Sequence, residues 1–434
     1  MAKKLNSVLG IDIGSRRIKI AEVRSSGGSP TVTALGMVDT PEGAVDHTGV
    51  YNSDAVGDAI KQAIQESGAS VPHAVVSIAG QASVLVRTLE VPRMNPSELK
   101  EHMQWEINRN IPFAESTVVS DFKPLRDDDP ASQHMDVVMA ISPQSAIDTL
   151  VACMKRAGRT TAAIDVEPMG LARSVKASYD DLFGSQSVCV IDVGHKTTSI
   201  NIYKDGKLLM PRTVPVGGEM FTQAIVDGMG VSASEAEGLK SQVDLTAMDI
   251  SASNAAGFGG GGGGGQDFVP YNPFADDSNP FAAPAAAPEP TGAFEPAPAN
   301  DVSSIYADEP INQPQAEPEP EPPMSAPAPV PVGDSRAMSA VAPVLDEFVA
   351  EIRRSIDYFR SRGGEVDRLM ICGGGAKMKG MADFLGKSLN MPCDLFDPLR
   401  RLNVSAKKAD SGFIDAHREE FAIAVGNGLH ILFD

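Results

Sequence analysis

Cys189-Val190-Ile191-Asp192-Val193-Gly194-His195-Lys196-Thr197-Thr198-Ser199-Ile200-Asn201-Ile202-Tyr203 reads as an apolar strand, a tight glycine turn and a second strand. Asp192 interrupts the apolar run, and an unpartnered carboxylate there would be costly to bury. Taken alone it has two readings. Either it caps the turn, or it faces a metal ion while the amides and hydroxyls of Gly194–Thr198 hold phosphate. A second copy bears on the choice. Leu9-Gly10-Ile11-Asp12-Ile13-Gly14-Ser15-Arg16-Arg17-Ile18-Lys19-Ile20-Ala21-Glu22-Val23 again runs apolar-Asp-apolar-Gly into a polar turn and an alternating strand, 180 residues earlier. Two such hairpins imply two related half-domains facing each other, each offering an Asp and a phosphate loop.

The chain of 434 residues has room for two or more domains. Its formal charge of −20 is unevenly placed: residues 251–340 hold 12 Asp and Glu against one Arg. The remainder carries an ordinary charge for a soluble protein, and no basic patch or aromatic-basic interleaving points to nucleic acid. Cys153, Cys189, Cys372 and Cys393 are far apart, with no C-x-x-C pair. They read as buried thiols in a reducing cytoplasm. No secretory leader is apparent, and no apolar run reaches the length of a membrane helix, so a membrane role is expected only through a partner.

Along the chain, a helix is expected from Asp54 to about Glu66, capped by Ser53 and stopped by Gly68. Asn95-Pro96-Ser97-Glu98 is a capping box opening a helix to about Asn110, with Leu99, Met103 and Ile107 as its apolar stripe. Trp105, the only tryptophan, lies off that stripe. It either packs against a neighbouring element or anchors a partner. The order strand-helix-strand-strand-helix-strand, in a compact stretch over roughly 88–160, reads as a small inserted α+β module.

From 251 to 340 the composition changes. Gly259–Gly265 are seven glycines, and 17 of the 32 prolines lie between Pro270 and Pro331. Such a stretch cannot bury enough apolar area to offset chain entropy and is expected to be disordered. Asn272-Pro273-Phe274-Ala275 recurs as Asn279-Pro280-Phe281-Ala282, either by chance or as a linear binding motif. Order is expected to resume near Val341, where Leu345, Phe348, Ile352, Ile356 and Phe359 form a helical stripe.

The chain carries no G-x-x-x-x-G-K-[ST], no G-x-S-x-G and no H-E-x-x-H, and its histidines lack ligand spacing. His195 is expected to face solvent. What stands out is a combination: Asp12-x-Gly14 with Lys19, Glu167-Pro168 at a helix start, Asp192-x-Gly194-x-x-Thr197-Thr198, Gly217-Gly218, Ala236-Glu237-x-x-Lys240 and Gly373-Gly374-Gly375. In that order it resembles the actin/Hsp70/sugar-kinase fold. Leu89-Glu90-Val91-Pro92-Arg93-Met94, Trp105-Glu106-Ile107, Ile111-Pro112-Phe113, Arg156-Ala157-Gly158, Asp165-Val166-Glu167-Pro168 and Glu351-Ile352-Arg353-Arg354-Ser355-Ile356-Asp357-Tyr358 extend the likeness. They are similar to the PilM family of type IV pilus assembly proteins, whose small inserted (SHS2-type) module is shared with FtsA. The resemblance covers the chain except 251–340.

That resemblance implies an α/β fold of duplicated ribonuclease-H-like half-domains. Residues 1–90 and 160–190 would form the first half (1A), 91–159 the inserted module (1C), and 191–250 with 341–434 the second half (2A/2B). It implies an ATP site with Mg²⁺ held by Asp12 and Asp192 through water. Gly14, Ser15, Gly194, Thr197 and Thr198 would cradle phosphates, and Lys19 would offset their charge. Gly217, Gly218, Gly373, Gly374 and Gly375 would line the adenosine pocket by close backbone approach. Glu237 and Lys240 would reach ribose or base, and Glu167 would orient an attacking water. Arg16 and Arg17 depart from the small, polar residues usual in the first loop; either one of them points at phosphate or both are solvated. The implied role is a cytoplasmic ATP-binding scaffold at the inner face of the inner membrane, with slow or no turnover. It would grip the N-terminal cytoplasmic peptide of a PilN-type membrane protein near residues 85–165, alongside pilus motor and platform proteins and with self-association possible. The competing classes are an FtsA-like filament former, whose C-terminal membrane helix has no counterpart after Gly428, and a small-molecule kinase, for which no catalytic Asp between the halves is found.

Overall fold

The computed structural model describes residues 5–26, 29–114, 117–125, 132–247 and 332–433. The chain enters through β1 (Ser7–Ile13), β2 (Arg17–Ser26) and β3 (Ser29–Asp39), an antiparallel meander in which Asp12 lies opposite Lys19. Helix α1 (Ser53–Ser67) follows, started by the Asn52 side chain rather than Ser53 and stopped by Gly68 at φ 75°. β4 (His73–Ile78) then pairs parallel with β1.

The module comprises β5 (Leu85–Pro92), α2 (Pro96–Arg109), β6 (Val118–Pro124) and β7 (His134–Pro143). Its strands form a separate sheet in the order β5-β7-β6. The expected capping box closes between Asn95 and Glu98, and Leu99, Met103 and Ile107 pack on Val91, Val137, Met139 and Ile141. The module is smaller than the sequence order implied. α3 (Gln144–Arg156) lies against α1, while β8 (Thr160–Val166), within the stretch assigned to the first half, pairs parallel with β4 in the first sheet. The reason is packing: Leu150, Cys153 and Met154 share a core with Val56, Ile60 and Ala63.

After α4 (Glu167–Phe183) the pattern repeats. β9 (Ser187–Val193), β10 (Thr198–Lys204) and β11 (Lys207–Val214) form a second antiparallel meander. Then come α5 (Gly218–Met229), α6 (Ala233–Gln242) and α7 (Val332–Ser361). β12 (Arg368–Cys372) pairs parallel with β9, and α8 (Met381–Leu389) leads to β13 (Cys393–Leu395). The sheet order β11-β10-β9-β12-β13 repeats β3-β2-β1-β4-β8 of the first sheet. The expected duplication of two α/β halves is therefore present in strand order and direction alike.

Two boundaries shift. α7 begins at Val332, inside the stretch read as disordered, because Ala337 and Val341 extend the buried stripe of Leu345, Phe348, Ile352 and Ile356 against α5. Residues 251–331, including both Asn-Pro-Phe-Ala repeats, lie outside the described residues. The assignment of 341–434 to the second half also fails at its end. β14 (Asn403–Val404) pairs with β3, and after α9 (Ser411–His417), α10 (Ala422–Gly428) lies on β1, β2 and α4 before the short α11 (His430–Phe433). Small residues make this return possible. A Cβ on Gly10 would fall within 2.9 Å of the Asn427 backbone, and one on Gly426 would overlap the Gly170 carbonyl of α4. Asn427 is fully buried there and donates to the Ile11 carbonyl at 2.8 Å.

Candidate functional site

Both hairpins close in the same way. The Gly14 amide donates to the Arg17 carbonyl at 3.1 Å, and the Gly194 amide to the Thr197 carbonyl at 3.0 Å. A carboxylate stands just before each turn. Asp12 is buried, and Lys19 donates to its Oδ2 at 2.8 Å. Burial alone would lower the Lys19 pKa, but Asp12, Asp192 and Glu420 raise it above the ordinary lysine value. Asp192 is pushed up to about 6 by burial, opposed by Lys19 and reinforced by Asp12 and Glu420. Glu167, the first residue of α4, is raised to about 8 by burial and then by Asp12 and Asp192. Four groups from positions 12, 19, 167 and 192 thus act on one another in one place.

The glycines serve distinct surfaces of this place. Gly373 has φ +83°, and a Cβ there would run into Asp192 Oδ1. A Cβ on Gly375 would run into the Val193 side chain, whereas Gly374 has Glu420 Oε2 as its nearest neighbour, 3.6 Å from an added Cβ. Register explains this: Cys372 lies beside Asp192 on the adjacent parallel strand, so the glycines begin where the carboxylate stands. Gly217 and Gly218 close under the second turn, with the Gly218 amide donating to the Gly194 carbonyl at 2.9 Å and the Glu219 amide to that of His195 at 2.8 Å. Lys240 donates to the Gly218 carbonyl (3.1 Å), to Thr222 (2.6 Å) and to Glu237 (2.9 Å). Glu237 and Lys240 therefore lie together at the start of α5, beside the second turn.

Some expected residues are placed differently. Thr198 is fully buried and donates its hydroxyl to the Val216 carbonyl at 2.7 Å, so it supports the turn from behind. Gly14 accepts from the Thr40 hydroxyl at 2.6 Å, while Ser15 and Thr197 keep partly exposed positions on the turns. His195 is not solvent-facing: its side chain is largely covered, burial pushes its pKa down, and Glu219 lies 3.7 Å away. Arg17 keeps partial exposure but is not free to meet phosphate, since it pairs with Glu420 at 3.2 Å. Arg16 is exposed at the tip of the first turn, and its charge acts on both His195 and Glu237 of the second half.

The residues missed by sequence reasoning are Glu420, Lys377 and His417. Lys377 donates to Glu420 Oε1 at 3.0 Å, and His417 Nδ1 lies 2.8 Å from the same atom. No motif marks them, and only their convergence does. Among the described residues no three His, Cys, Asp or Glu side chains gather as an all-protein metal site. Two carboxylates close enough to act on each other suit instead a hard divalent cation, which completes its shell with water and phosphate oxygens. The raised pKa values of Asp192 and Glu167 fit that donor set, because a cation would stabilise their ionised forms. Among the described residues no helix is long and apolar enough to cross a membrane.

Comparison with known proteins matches two family models, a solved structure and two sequence relatives. The sequence model of the type IV pilus assembly protein PilM matches residues 10–249, and that of the cell division protein FtsA matches residues 189–426. The solved structure of a PilM-PilN type IV pilus biogenesis complex superposes with a TM-score of 0.69 at 22% identity, covering 99% of each chain. FtsA of Neisseria meningitidis is 21% identical over 264 residues, which is 55% of this chain and 62% of that protein. FtsA of Bacillus subtilis is 31% identical over 111 residues, 26% of this chain and 24% of its own. The chain thus spans less than two thirds of the length of the FtsA relatives it matches.

Proposed function

Because the chain belongs to the PilM family of type IV pilus assembly proteins, with an actin-like, FtsA-related fold, we propose that it is an ATP-binding scaffold of the pilus machine. Nucleotide in the cleft sets a conformation, and a partner reads it. The observation that carries this reading is the meeting of Asp12, Lys19 and Asp192, contributed by two hairpins 180 residues apart. Asp12 and Asp192 would hold Mg²⁺ through water, and the ion would neutralise polyphosphate charge. Gly14, Ser15, Gly194 and Thr197 would offer amides and hydroxyls to phosphate. Glu237 and Lys240, beside Gly217 and Gly218, would meet ribose or base, and Gly373–Gly375 would keep the neighbouring backbone low.

Phosphoryl transfer depends mainly on positioning and charge neutralisation. The cleft offers both, with Glu167 as the group to orient water, and we assign it tight binding with slow or no hydrolysis. The partner is the N-terminal cytoplasmic peptide of a PilN-type membrane protein, gripped near the module. That places the protein in the cytoplasm at the inner face of the inner membrane, held through partners. Titration of a fluorescent ATP analogue with and without Mg²⁺ tests the nucleotide half of the proposal. The Asp12→Ala/Asp192→Ala protein should lose binding, and retention of wild-type affinity would refute it. Calorimetry with a PilN-type peptide tests the other half, since deleting the module should abolish the heat.

The FtsA match over residues 189–426 favours one second reading, an FtsA-like filament former. ATP-dependent sedimentation of the protein would select it.

A further inference from the structure

Glu420 sits just before α10 and belongs to neither hairpin, yet groups from both halves converge on it. Its side chain is only 4% exposed. Arg17 Nη1 of β2 lies 3.2 Å from each of its oxygens, and Lys377 Nζ, in the turn after β12, lies 3.0 Å from Oε1. His417 Nδ1 approaches the same oxygen at 2.8 Å. Arg17 is rooted in the first sheet and Lys377 follows a strand of the second. The backbone repeats the link, because the Gly373 amide donates to the Glu419 carbonyl at 3.0 Å. The Glu420 charge also reaches Lys19 and Asp192, so the cluster borders the paired carboxylates.

A buried carboxylate shared by two cations holds them together, and without its charge the two cations repel each other. We infer that Glu420 is a latch between the two halves, which fixes the first glycine turn against the third before nucleotide arrives. Its effect on nucleotide affinity rests on the ATP reading of the cleft, whereas its effect on the two turns does not.

The test is hydrogen exchange of the full-length, nucleotide-free protein together with titration of a fluorescent ATP analogue. Glu420→Gln should speed exchange at Ser15–Arg17 and at Gly374–Lys377, and should weaken analogue binding about tenfold, the usual scale for a charged buried hydrogen bond. Lys377→Met should reproduce part of both effects and add nothing when combined with Glu420→Gln, a coupling that a general loss of packing would not give. Unchanged exchange at both turns in Glu420→Gln, or full additivity with Lys377→Met, would overturn the latch. Should Glu420→Gln not fold, Arg17→Met and Lys377→Met alter half-exposed cations and complete the same cycle. Coupling between those two is expected, and independence would overturn the proposal. If the wild-type protein binds no analogue, the nucleotide reading falls, and the exchange data still decide the latch.

Discussion

Gly426 of α10 meets Gly170 of α4 backbone to backbone, with no room for a Cβ between them. This contact lets the C-terminal helix leave the second half and lie on β1 of the first. Gly426→Ala should therefore cost at least the ~1–3 kcal/mol typical of an overpacked core, read as a lowered denaturant midpoint. Gly238, on exposed α6 with nothing within 4 Å of an added Cβ, is the control. Gly238→Ala should stabilise by about 0.5–1 kcal/mol.

Gly373→Ala tests the join between fold and site. The new methyl would meet Asp192 Oδ1, at a φ that L-residues rarely adopt. Displacing Asp192 should reduce Mg²⁺-dependent binding of an ATP analogue at least tenfold, since one charge-assisted contact is worth about 1.5–3 kcal/mol. Gly43→Ala, also at positive φ but facing open space, should leave that binding unchanged.

Glu22 predicts an acid limb in stability. It is buried on β2 and accepts from the Ser70 amide at 2.5 Å and the Val71 amide at 2.9 Å, with Thr33 and Arg24 also donating. Burial alone would raise its pKa, but these donors hold it below the ordinary glutamate value. A depressed folded pKa means that the stabilisation is full above the unfolded value and is lost as pH falls through the folded one. Denaturant midpoints should therefore drop below the normal glutamate range in wild type, and the Glu22 share of that drop should vanish in Glu22→Gln. The variant should be about 1–3 kcal/mol less stable at neutral pH, having lost a charged acceptor of buried amides.

Trp105 is 57% exposed on α2, with the Arg109 guanidinium 4.8 Å above its ring. As the sole tryptophan it reports on the module alone. Its fluorescence should be water-like and readily quenched by acrylamide. If a PilN-type peptide covers this face, emission should shift to the blue and quenching should fall.

Much of the site was legible because its parts are local. A carboxylate two residues before a glycine turn is a pattern within one hairpin, and its repetition at 12–14 and 192–194 announced the duplication. The capping box at Asn95 was equally local and forms as written. Thr198 and His195 misled because a hydroxyl or imidazole beside a glycine turn can face either way. The choice belongs to Val216 and Glu219, which the turn's own sequence does not contain.

The sequence by itself determined two hairpins, two carboxylates and the apolar stripes that pack each half, because backbone propensity and hydrophobic periodicity act over a few residues. Only the tertiary structure decided that α3 leaves the module for the core of the first half, and that the C-terminal helix returns to the first sheet. It alone gathered Arg17, Lys377 and Glu420 at one point. The reason is physical: a strand's partner is set by the whole core that covers it, and a buried charge is settled by whichever opposite charges the fold brings within reach, however far away they lie along the chain.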